Sequence, residues 1–336
     1  MRRVGWSVGR SLRGALVAAG AALGCVSAPA GPTRSGADEG GGATRVIVVG
    51  DQPYDTLQAP GWRRLLGAID RERADVVVHV GDFTGFLCTD SVFAERLAEF
   101  RRVAHPLVFT PGDNDWTDCH RNGRDPAERL ATLRRDFLAG DSSLGRRPIA
   151  LVRQSADPAW RAYRENVRWS MGGVVFATLH VVGSNNNRGR TAAADSEFVA
   201  RDAADRAWLR LAFEAARRED ARGLALFFQA NPFERPRPPR GAPPGTPAPP
   251  GGFDALLAEF RALAAAYPRP IAVVHGDTHY FRVDKPFRDD STGALLLPHV
   301  TRIETFGSPD THGLVLTVAP TATELFRVAP LLAPSR

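Results

Sequence analysis

Lysine is almost missing from this sequence of 336 residues: Lys285 stands alone among 43 basic residues, and the others are arginines spread along the chain. Scattered arginines do not form the dense basic patch that nucleic acid requires, so no nucleic-acid partner is expected despite the net charge of +6. Internal repeats are absent too, and beyond residue 30 no apolar run is long enough to span a bilayer. The sequence therefore argues against repeat proteins and multi-spanning membrane proteins.

The N-terminal segment has the pattern of an export signal. Arginines are followed by the apolar stretch Gly14–Gly24, which is too short to span a bilayer, so residues 1–30 are predicted to be a signal peptide. Ala22–Cys25 resembles a lipobox, in which a lipidated Cys25 would attach the protein to a membrane, whereas Ala28–Ala30 offers ordinary cleavage. Both alternatives predict an exported protein that is periplasmic, extracellular or lipid-anchored at the cell envelope.

Cysteine is scarce as well, and export would leave Cys88 and Cys119 as an even pair. In an oxidising compartment such a pair predicts a disulfide, with two buried thiols as the alternative. Residues 31–44 are Gly-rich and polar and predict a flexible linker, and residues 45–330 are the predicted folded domain. Residues 236–252 are rich in proline and glycine and predict a loop within that domain.

Short apolar runs alternate with amphipathic stretches along the predicted domain. Apolar residues at helical spacing, such as Trp62, Leu65 and Ile69, predict helices that pack on a core. The runs are rich in Val, Ile and Phe and predict buried strands of an α/β protein, with a β-rich end and two sheets packed between helices. The predicted strands are Val46–Val49, Val76–Val80, Leu107–Phe109, Val174–Val182, Leu224–Phe228, Ile271–Val274, Leu295–Ile303, Leu314–Val318 and Thr323–Val328.

Four of these strands are followed by the dipeptide Gly-Asp. The aspartates are Asp51, Asp82, Asp113 and Asp277. Parallel strands end at one edge of a sheet, where ligand sites form, so we expect these carboxylates to lie close together. Gathered carboxylates repel one another unless a cation offsets their charge, and hard divalent cations prefer carboxylate oxygen. The pattern therefore predicts a metal site, with turn and helix-cap roles as the alternative.

The chain resembles the calcineurin-like metallophosphoesterase superfamily, which includes purple acid phosphatases, in the order and spacing of five motifs. The motifs are GDQPY (50–54), GDF (81–83), PGDNDW (111–116), FFQANP (227–232) and HGDTH (275–279). The resemblance spans roughly residues 45–310. It implies a four-layer αββα sandwich with two mixed β-sheets, two metal ions bridged by an Asp and a hydroxide, and hydrolysis of phosphate esters.

The resemblance also implies a set of metal ligands. Asp82 matches the aspartate that bridges both metals, and Asp51 matches a ligand of the first metal. Asp113 stands where the superfamily has an Asn ligand, Asp277 stands where it has a His ligand, and His279 keeps a ligand His. A ligand set this rich in Asp favours harder ions such as Mn²⁺, Mg²⁺ or Ca²⁺ over Zn²⁺, with Fe also a candidate.

The superfamily's catalytic His is replaced. Asn114 stands in its place and Asp115 follows it, so both are catalytic candidates, and Gln229 is the nearest polar substitute for the fourth-motif His ligand. Asn114 can donate a hydrogen bond to a phosphoryl oxygen, but it cannot titrate near neutral pH as a histidine does. Further candidates for contact with substrate or ligands are Tyr54, His120, Asn185, Asn231, His275 and Arg302.

These features predict metal-dependent hydrolysis of a small phosphate ester, with two metal ions activating a bridging water or hydroxide. The alternative is a metal-binding surface protein of the same fold that is catalytically weak or inactive, because the usual catalytic and ligand histidines are replaced.

Overall fold

The computed structural model describes residues 42–85, 87–234, 243–248, 250–320 and 324–335. The predicted signal peptide, Cys25 and most of the predicted linker lie outside these residues. Part of the proline-rich segment does as well, so the predictions made for these regions stay predictions. Its described residues, 243–248 and 250–252, contain no helix or strand.

Strands and helices alternate through the first two thirds of the described chain, and strands dominate the last third. The strands are β1 (Thr44–Val49), β2 (Val76–His79), β3 (Leu107–Phe109), β4 (Val152–Arg153), β5 (Val167–Met171), β6 (Val174–Thr178), β7 (Gly223–Phe227), β8 (Ile271–His275), β9 (Arg282–Asp284), β10 (Val300–Glu304), β11 (Gly313–Val318) and β12 (Phe326–Leu331). The helices are α1 (Ala59–Arg71), α2 (Asp90–Arg102), α3 (Pro126–Asp136), the single turn α4 (Gly183–Asn186), α5 (Ala192–Arg218) and α6 (Asp254–Ala265). Short 3-10 turns lie at Thr117–Asn122, Gln154–Ala156 and Pro158–Trp160.

The strands form two mixed sheets. The first has five strands in the order β12-β11-β1-β2-β3, and the second has seven in the order β4-β5-β6-β7-β8-β10-β9. In the first sheet β1, β2 and β3 are parallel, and in the second β6, β7, β8 and β10 are parallel. The remaining pairs are antiparallel. The carboxyl ends of the parallel strands in each sheet therefore share one edge.

Alternation along the strands builds four layers. Val46 and Val48 of β1 belong to the apolar cluster that includes Phe227 of β7, and this cluster fills the space between the sheets. Ile47 points the other way and belongs to a cluster with Leu65 of α1. β7 alternates in the same manner between the inner cluster and the face covered by α5 and α6. The predicted αββα sandwich with two mixed sheets is thus confirmed.

Local sequence sets where several helices begin. The side chains of Thr89, Asp125 and Thr191 each accept a hydrogen bond from a backbone amide in the first turn of α2, α3 and α5. Such side-chain caps satisfy amides that have no partner within the helix. The predicted Trp62 stripe is buried on α1, as its helical spacing indicates.

Two predicted strands are too long. The run 174–182 leaves the β-ladder after Thr178, and the run 295–303 is a strand only from Val300 onward. Leu295 forms a single bridge with Arg288 instead. Pro298 has no N–H to donate to a ladder, which explains why pairing starts after it.

β1 and β12 also differ in their bounds from the sequence prediction. β1 begins at Thr44, and β12 spans Phe326–Leu331, whereas a strand was predicted over 323–328. Residues 321–323 lie outside the described part of the chain.

Cys88 and Cys119 form a disulfide, with a Cα–Cα distance of 5.7 Å, which confirms the predicted pairing. The bond joins the loop after β2 to the loop after β3. None of the helices among the described residues combines the length and the apolar character needed to cross a bilayer.

Candidate metal centre

The four predicted aspartates meet at the strand ends. Asp51, Asp82 and Asp113 follow β1, β2 and β3 of the first sheet, and Asp277 follows β8 of the second. Hydrogen bonds link them directly or through one residue, so the edges of the two sheets form one carboxylate centre. We use this term for Asp51, Asp82, Asp113 and Asp277.

Three members of the carboxylate centre have an uncommon backbone conformation. Asp51, Asp82 and Asp277 have φ angles of 54°, 59° and 79°, in the left-handed region that residues with a Cβ usually avoid. Such a conformation costs free energy and is found where the surrounding structure requires it, often at functional sites. Here it turns the chain sharply at the end of a buried strand.

Backbone amides and Gln229 hold the carboxylates together. The amide of Asp277 donates to both carboxylate oxygens of Asp51, at 3.0 and 3.1 Å. The side-chain amide of Gln229, which follows β7, donates to Asp82 Oδ2 at 3.1 Å and to Asp277 Oδ1 at 3.4 Å. The structure therefore brings Gln229 into the centre, as the motif order predicted.

Tyr54 and His279 form another side of the centre. The Tyr54 hydroxyl lies 3.1 Å from Asp82 Oδ2 and 2.9 Å from His279 Nε2, and its one proton can be donated to only one of them at a time. His279 Nδ1 lies 2.7 Å from the carbonyl oxygen of Ser308, which can only accept, so Nδ1 carries the proton in the neutral ring. His279 Nε2 then holds a lone pair and lies 3.9 Å from Asp51 Oδ1, where it can serve as a metal ligand.

Burial and mutual repulsion dominate the electrostatics of the carboxylate centre. Burial, followed by the charges of neighbouring carboxylates, raises the pKa of Asp51 and Asp82 well above the ordinary range. Burial and the charge of Asp277 raise the pKa of Asp113 to about 8. The pKa of Asp277 is raised as well, mainly by burial. Charges placed this way are unfavourable unless a cation offsets them.

The partners that the described residues provide to the carboxylate centre are amides, hydroxyls and His279, with neither arginine nor lysine among them. Within the described ranges, no three His, Cys, Asp or Glu side chains are arranged so that they could coordinate one ion as they stand. The set still fits hard divalent cations, because it offers buried anionic oxygens without positive charge. Cation binding would require Gln229 and Tyr54 to release their hydrogen bonds to Asp82.

The two catalytic candidates have different surroundings. Asp115 is fully buried, and its carboxylate accepts hydrogen bonds from the amides of Gly112, Asp82 and Phe83 at 2.8 to 2.9 Å. Asp115 thus fixes the two loops that carry the centre. The amide of Asn114 donates to Asp82 Oδ1 at 2.9 Å, which places Asn114 directly beside the centre.

A left-handed turn contacts the centre through Ser184, which was not among the predicted site residues. Ser184 to Asn187 all have positive φ, between 48° and 64°. The Ser184 hydroxyl lies 2.7 Å from Asp113 Oδ2 and 2.9 Å from Asp118 Oδ2. A Cβ on Gly183 would lie 2.6 Å from Asp277 Oδ1, so only glycine allows this close approach. The run Asn185–Asn187 was the available signal, because Asn tolerates such φ angles better than most residues.

Glu304 is another residue that sequence reasoning missed. It is fully buried at the end of β10 and accepts hydrogen bonds from Thr278, from the amide of Tyr280 and from Arg282. These contacts hold the segment between Asp277 and β9. Glu304, like the aspartates of the centre, lies at the end of a strand. It was missed because no glycine precedes it.

Two residues predicted to contact substrate or ligands, Arg302 and Asn185, have other partners in the structure. Arg302 pairs with Asp284, and its guanidinium lies over the Phe233 ring at 5.3 Å. The Asn185 side chain bonds Pro250 and Gly252, so it holds the end of the proline-rich segment.

The remaining three candidates have different contacts. His275 is buried beside Phe228 and Phe233, and burial lowers its pKa to about 3. His120 Nδ1 contacts the Thr117 carbonyl at 2.7 Å. Asn231 supports the centre through its backbone amide, which donates to Asp277 Oδ2 at 3.0 Å.

No protein-family model matches the chain, and no curated protein matches it. Solved structures resemble it in fold. A structure of PhoD has a TM-score of 0.55 at 12% identity, over 85% of this chain and 68% of PhoD. GAP50, described as the anchor in the inner membrane complex of Plasmodium, has a TM-score of 0.47 at 12% identity, over 88% of this chain and 90% of GAP50.

Vacuolar protein sorting 29 from Cryptosporidium parvum has a TM-score of 0.28 at 10% identity, over 86% of this chain and 96% of that protein. At these identities the likeness is one of fold alone, and the PhoD match is the one of these three with a TM-score above 0.5. The protein has a metallophosphoesterase-like fold.

Proposed function

We propose that this protein is an exported metal-dependent phosphoesterase that hydrolyses a small phosphate ester. The observation that carries the proposal is the carboxylate centre itself. Four buried carboxylates from two sheets face one another, without a cationic side chain among their described partners, in a metallophosphoesterase-like fold. A protein gains nothing from burying repelling charges in this way unless a ligand of opposite charge binds them.

The side chains that would hold two divalent cations are Asp51, Asp82, Asp113, Asp277, Gln229 and His279. Bound there, such cations lower the pKa of a water molecule and offset the negative charge of a phosphate ester. The oxygen-rich donor set favours Mn²⁺, Mg²⁺ or Ca²⁺ over Zn²⁺, with Fe and Zn²⁺ as further candidates. The same chemistry limits the substrate to an anion, and phosphate esters are the anions that the fold resemblance suggests.

The protein's own groups would position that ester. Asn114 lies beside Asp82, and its side-chain amide can donate a hydrogen bond to a phosphoryl oxygen without changing charge. Asp115 keeps the loops of Asp82 and Asn114 in register through its three backbone partners. The Cys88–Cys119 disulfide ties these loops together and accords with export to an oxidising compartment.

A second function is favoured by one observation. Asn114 stands where the related superfamily has its catalytic His, so the protein lacks that titratable group beside the centre. A cell-surface protein that binds cations without hydrolysing esters is therefore the alternative. The two proposals share the metal site and differ in turnover alone.

Metal analysis of the purified protein, followed by hydrolysis of p-nitrophenyl phosphate and bis(p-nitrophenyl) phosphate with added Mn²⁺, tests both proposals. We expect bound metal and turnover of at least one ester. Asp82→Asn should lower kcat/KM by at least about 100-fold, because substitutions behind a metal's direct ligands already cost 10- to 100-fold.

Asp141→Asn is the matched control, because Asp141 also follows a glycine but is exposed and lies outside the centre. This variant should keep the activity of the unaltered protein. Full activity of Asp82→Asn would show that the assigned centre is wrong. Bound metal without turnover of either ester would favour the binding protein.

A further inference from the structure

Three large apolar side chains are exposed on loops that leave the carboxylate centre. Leu57 is 87% exposed, Tyr280 is 72% exposed and Leu87 is 52% exposed. Each lies on a loop that follows a residue of the centre: Leu57 comes after Asp51, Leu87 after Asp82 and Tyr280 after Asp277. Single exposed apolar residues are normal on a surface, but several beside one polar centre indicate a binding surface.

Tyr54 brings the three loops together. Its carbonyl oxygen accepts a hydrogen bond from the amide of Gly85 at 3.0 Å, and its hydroxyl lies 2.9 Å from His279 Nε2. Leu57 lies three residues after Tyr54, Leu87 lies two after Gly85, and Tyr280 directly follows His279. A chain spans at most about 3.6 Å per residue. Each apolar residue is therefore within about 11 Å, along its own chain, of a residue in contact with Tyr54.

The backbone at each of these positions is held in place. The Leu57 amide bonds Asp55 Oδ1 at 2.9 Å, and the Tyr280 amide bonds Glu304 Oε1 at 3.3 Å. Leu87 directly precedes the disulfide-bonded Cys88, and its carbonyl oxygen accepts from Thr84 Oγ1 at 3.3 Å. Apolar side chains that project into water from a fixed backbone are preorganised for contact, because little further ordering is needed when a ligand binds.

We propose that Leu57, Leu87 and Tyr280 form an apolar rim that receives the apolar alcohol portion of a phosphate ester. The inference rests on the proposed function and narrows its substrate class. Cations held by the carboxylate centre would bind the phosphate, and the apolar rim would contact the carbon skeleton. Such an ester comes from one of two sources, a soluble aryl or alkyl phosphate or a phospholipid with a terminal phosphate.

The rim predicts a preference that point substitutions abolish. Leu57→Ser and Tyr280→Ser should lower kcat/KM for 1-naphthyl phosphate about tenfold, the range in which apolar contacts discriminate between substrates. The same variants should leave kcat/KM for glycerol phosphate within about twofold, because that ester offers the rim no apolar surface. Val199→Ser, a 63% exposed apolar residue on α5, is the control and should change neither value.

A measurement without turnover separates this inference from the proposed function. Binding of 1-naphthyl phosphonate to the Mn²⁺-loaded protein is followed by the fluorescence of the naphthyl ring. If the unaltered protein hydrolyses neither 1-naphthyl phosphate nor glycerol phosphate, the proposed function fails. Weaker phosphonate binding by Leu57→Ser and Tyr280→Ser would still support the rim. If Leu57→Ser and Tyr280→Ser bind the phosphonate as tightly as Val199→Ser does, the proposal that the rim receives a soluble ester is overturned.

Cosedimentation with phosphatidylcholine vesicles, with and without phosphatidic acid, distinguishes the two sources. Binding that needs phosphatidic acid and is lost in the two rim variants assigns the lipid source. Equal cosedimentation by the rim variants and the control, together with equal phosphonate binding, overturns the proposal altogether. Circular dichroism checks that each variant is folded, which is expected because all three side chains are exposed.

Discussion

Two buried polar regions of this protein contrast in how their charges are matched. In the carboxylate centre, negative groups face one another. Behind it lies a second region, which we call the Glu165 network, in which Glu165 bonds His180 at 2.7 Å and pairs with Arg134. Arg201, which is fully buried, pairs with Glu197 at 2.7 Å in the same region. The network also includes Asn186, whose side chain accepts from Arg201 at 2.6 Å.

The pKa of Glu165 shifts in the opposite direction from the pKa values of the carboxylate centre. Burial alone would raise the pKa of Glu165, but Arg134 and His180 hold that pKa below its ordinary value. In the carboxylate centre, burial and neighbouring carboxylates act together, and the pKa of Asp82 rises. The charge of Glu165 is therefore matched by groups of the protein, whereas the described residues provide no cationic partner to the carboxylate centre.

The two regions meet at the left-handed turn. Arg201 donates to the side chain and to the carbonyl oxygen of Asn186, which holds the turn from behind. On the other side the Ser184 hydroxyl contacts Asp113. Four consecutive left-handed residues are unfavourable by themselves, so the turn depends on the bonds of Arg201. The Glu165 network thus supports the geometry of the carboxylate centre.

The largest expected effect comes from breaking the Glu165 network. Arg201→Met should lower the free energy of unfolding by about 3–5 kcal/mol, because it leaves buried partners without their charge. Urea unfolding followed by circular dichroism measures this loss. Arg206→Met is the matched control on α5, since Arg206 is partly exposed and its pairs with Asp202 and Glu259 contribute about 1 kcal/mol or less. Equal losses in both variants would contradict a bracing role for Arg201.

A pH series with metal-free protein should reveal the opposite signs directly. In the unfolded chain Asp113 ionises near its ordinary pKa of 3.8, but in the folded protein its pKa is about 8, and that of Asp115 is about 7. The folded state therefore binds more protons, so this contribution to stability is present below pH 3.8 and is lost as the pH rises through about 8. For Glu165, whose pKa is lowered, stability is instead lost as the pH falls below 4.5.

Calorimetry in EDTA between pH 4 and pH 9 should accordingly show the Tm declining as the pH rises from 4 and levelling off above about pH 8. Added Mn²⁺ should reverse this decline at neutral and alkaline pH, because the cation replaces the protons on the carboxylates. If Mn²⁺ left the Tm unchanged at every pH, the carboxylate centre would not bind the cation, and the contrast between the two regions would fail.

The smallest expected effect is a gain. Asp113→Asn should raise the stability of the metal-free protein at pH 9 by about 1 kcal/mol, because it removes one repelled carboxylate. The new amide can donate to Ser184, which can then donate to Asp118. Cation affinity, measured by titration calorimetry with Mn²⁺, should fall about tenfold.

Asp118→Asn is the control for this substitution, since Asp118 lies on the other side of Ser184 and pairs with Arg121 at 2.8 Å. Its replacement removes a matched charge and should not stabilise the metal-free protein. A gain in both variants would mean that the charges around Ser184 are equally unmatched.

The sequence predicted the parts of the fold and site that depend on local pattern. Continuous apolar runs located β1, β2, β3 and β8, and the Gly-Asp pairs located the carboxylates at their ends. The two cysteines that follow the predicted signal peptide, Cys88 and Cys119, predicted the disulfide. Predictions were poorer where pattern is ambiguous, as in residues 295–299, whose apolar composition suits a strand although Pro298 prevents pairing.

The sequence by itself determined which chemical groups stand at the strand ends, because strand period and glycine placement are local properties. Only the tertiary structure decided which of them touch. Asp277 reaches Asp51 across 226 positions because two sheets pack face to face, and Ser184 reaches Asp113 through a left-handed turn braced by Arg201. Contacts between distant segments depend on the packing of whole layers, and no periodicity within one segment records that packing.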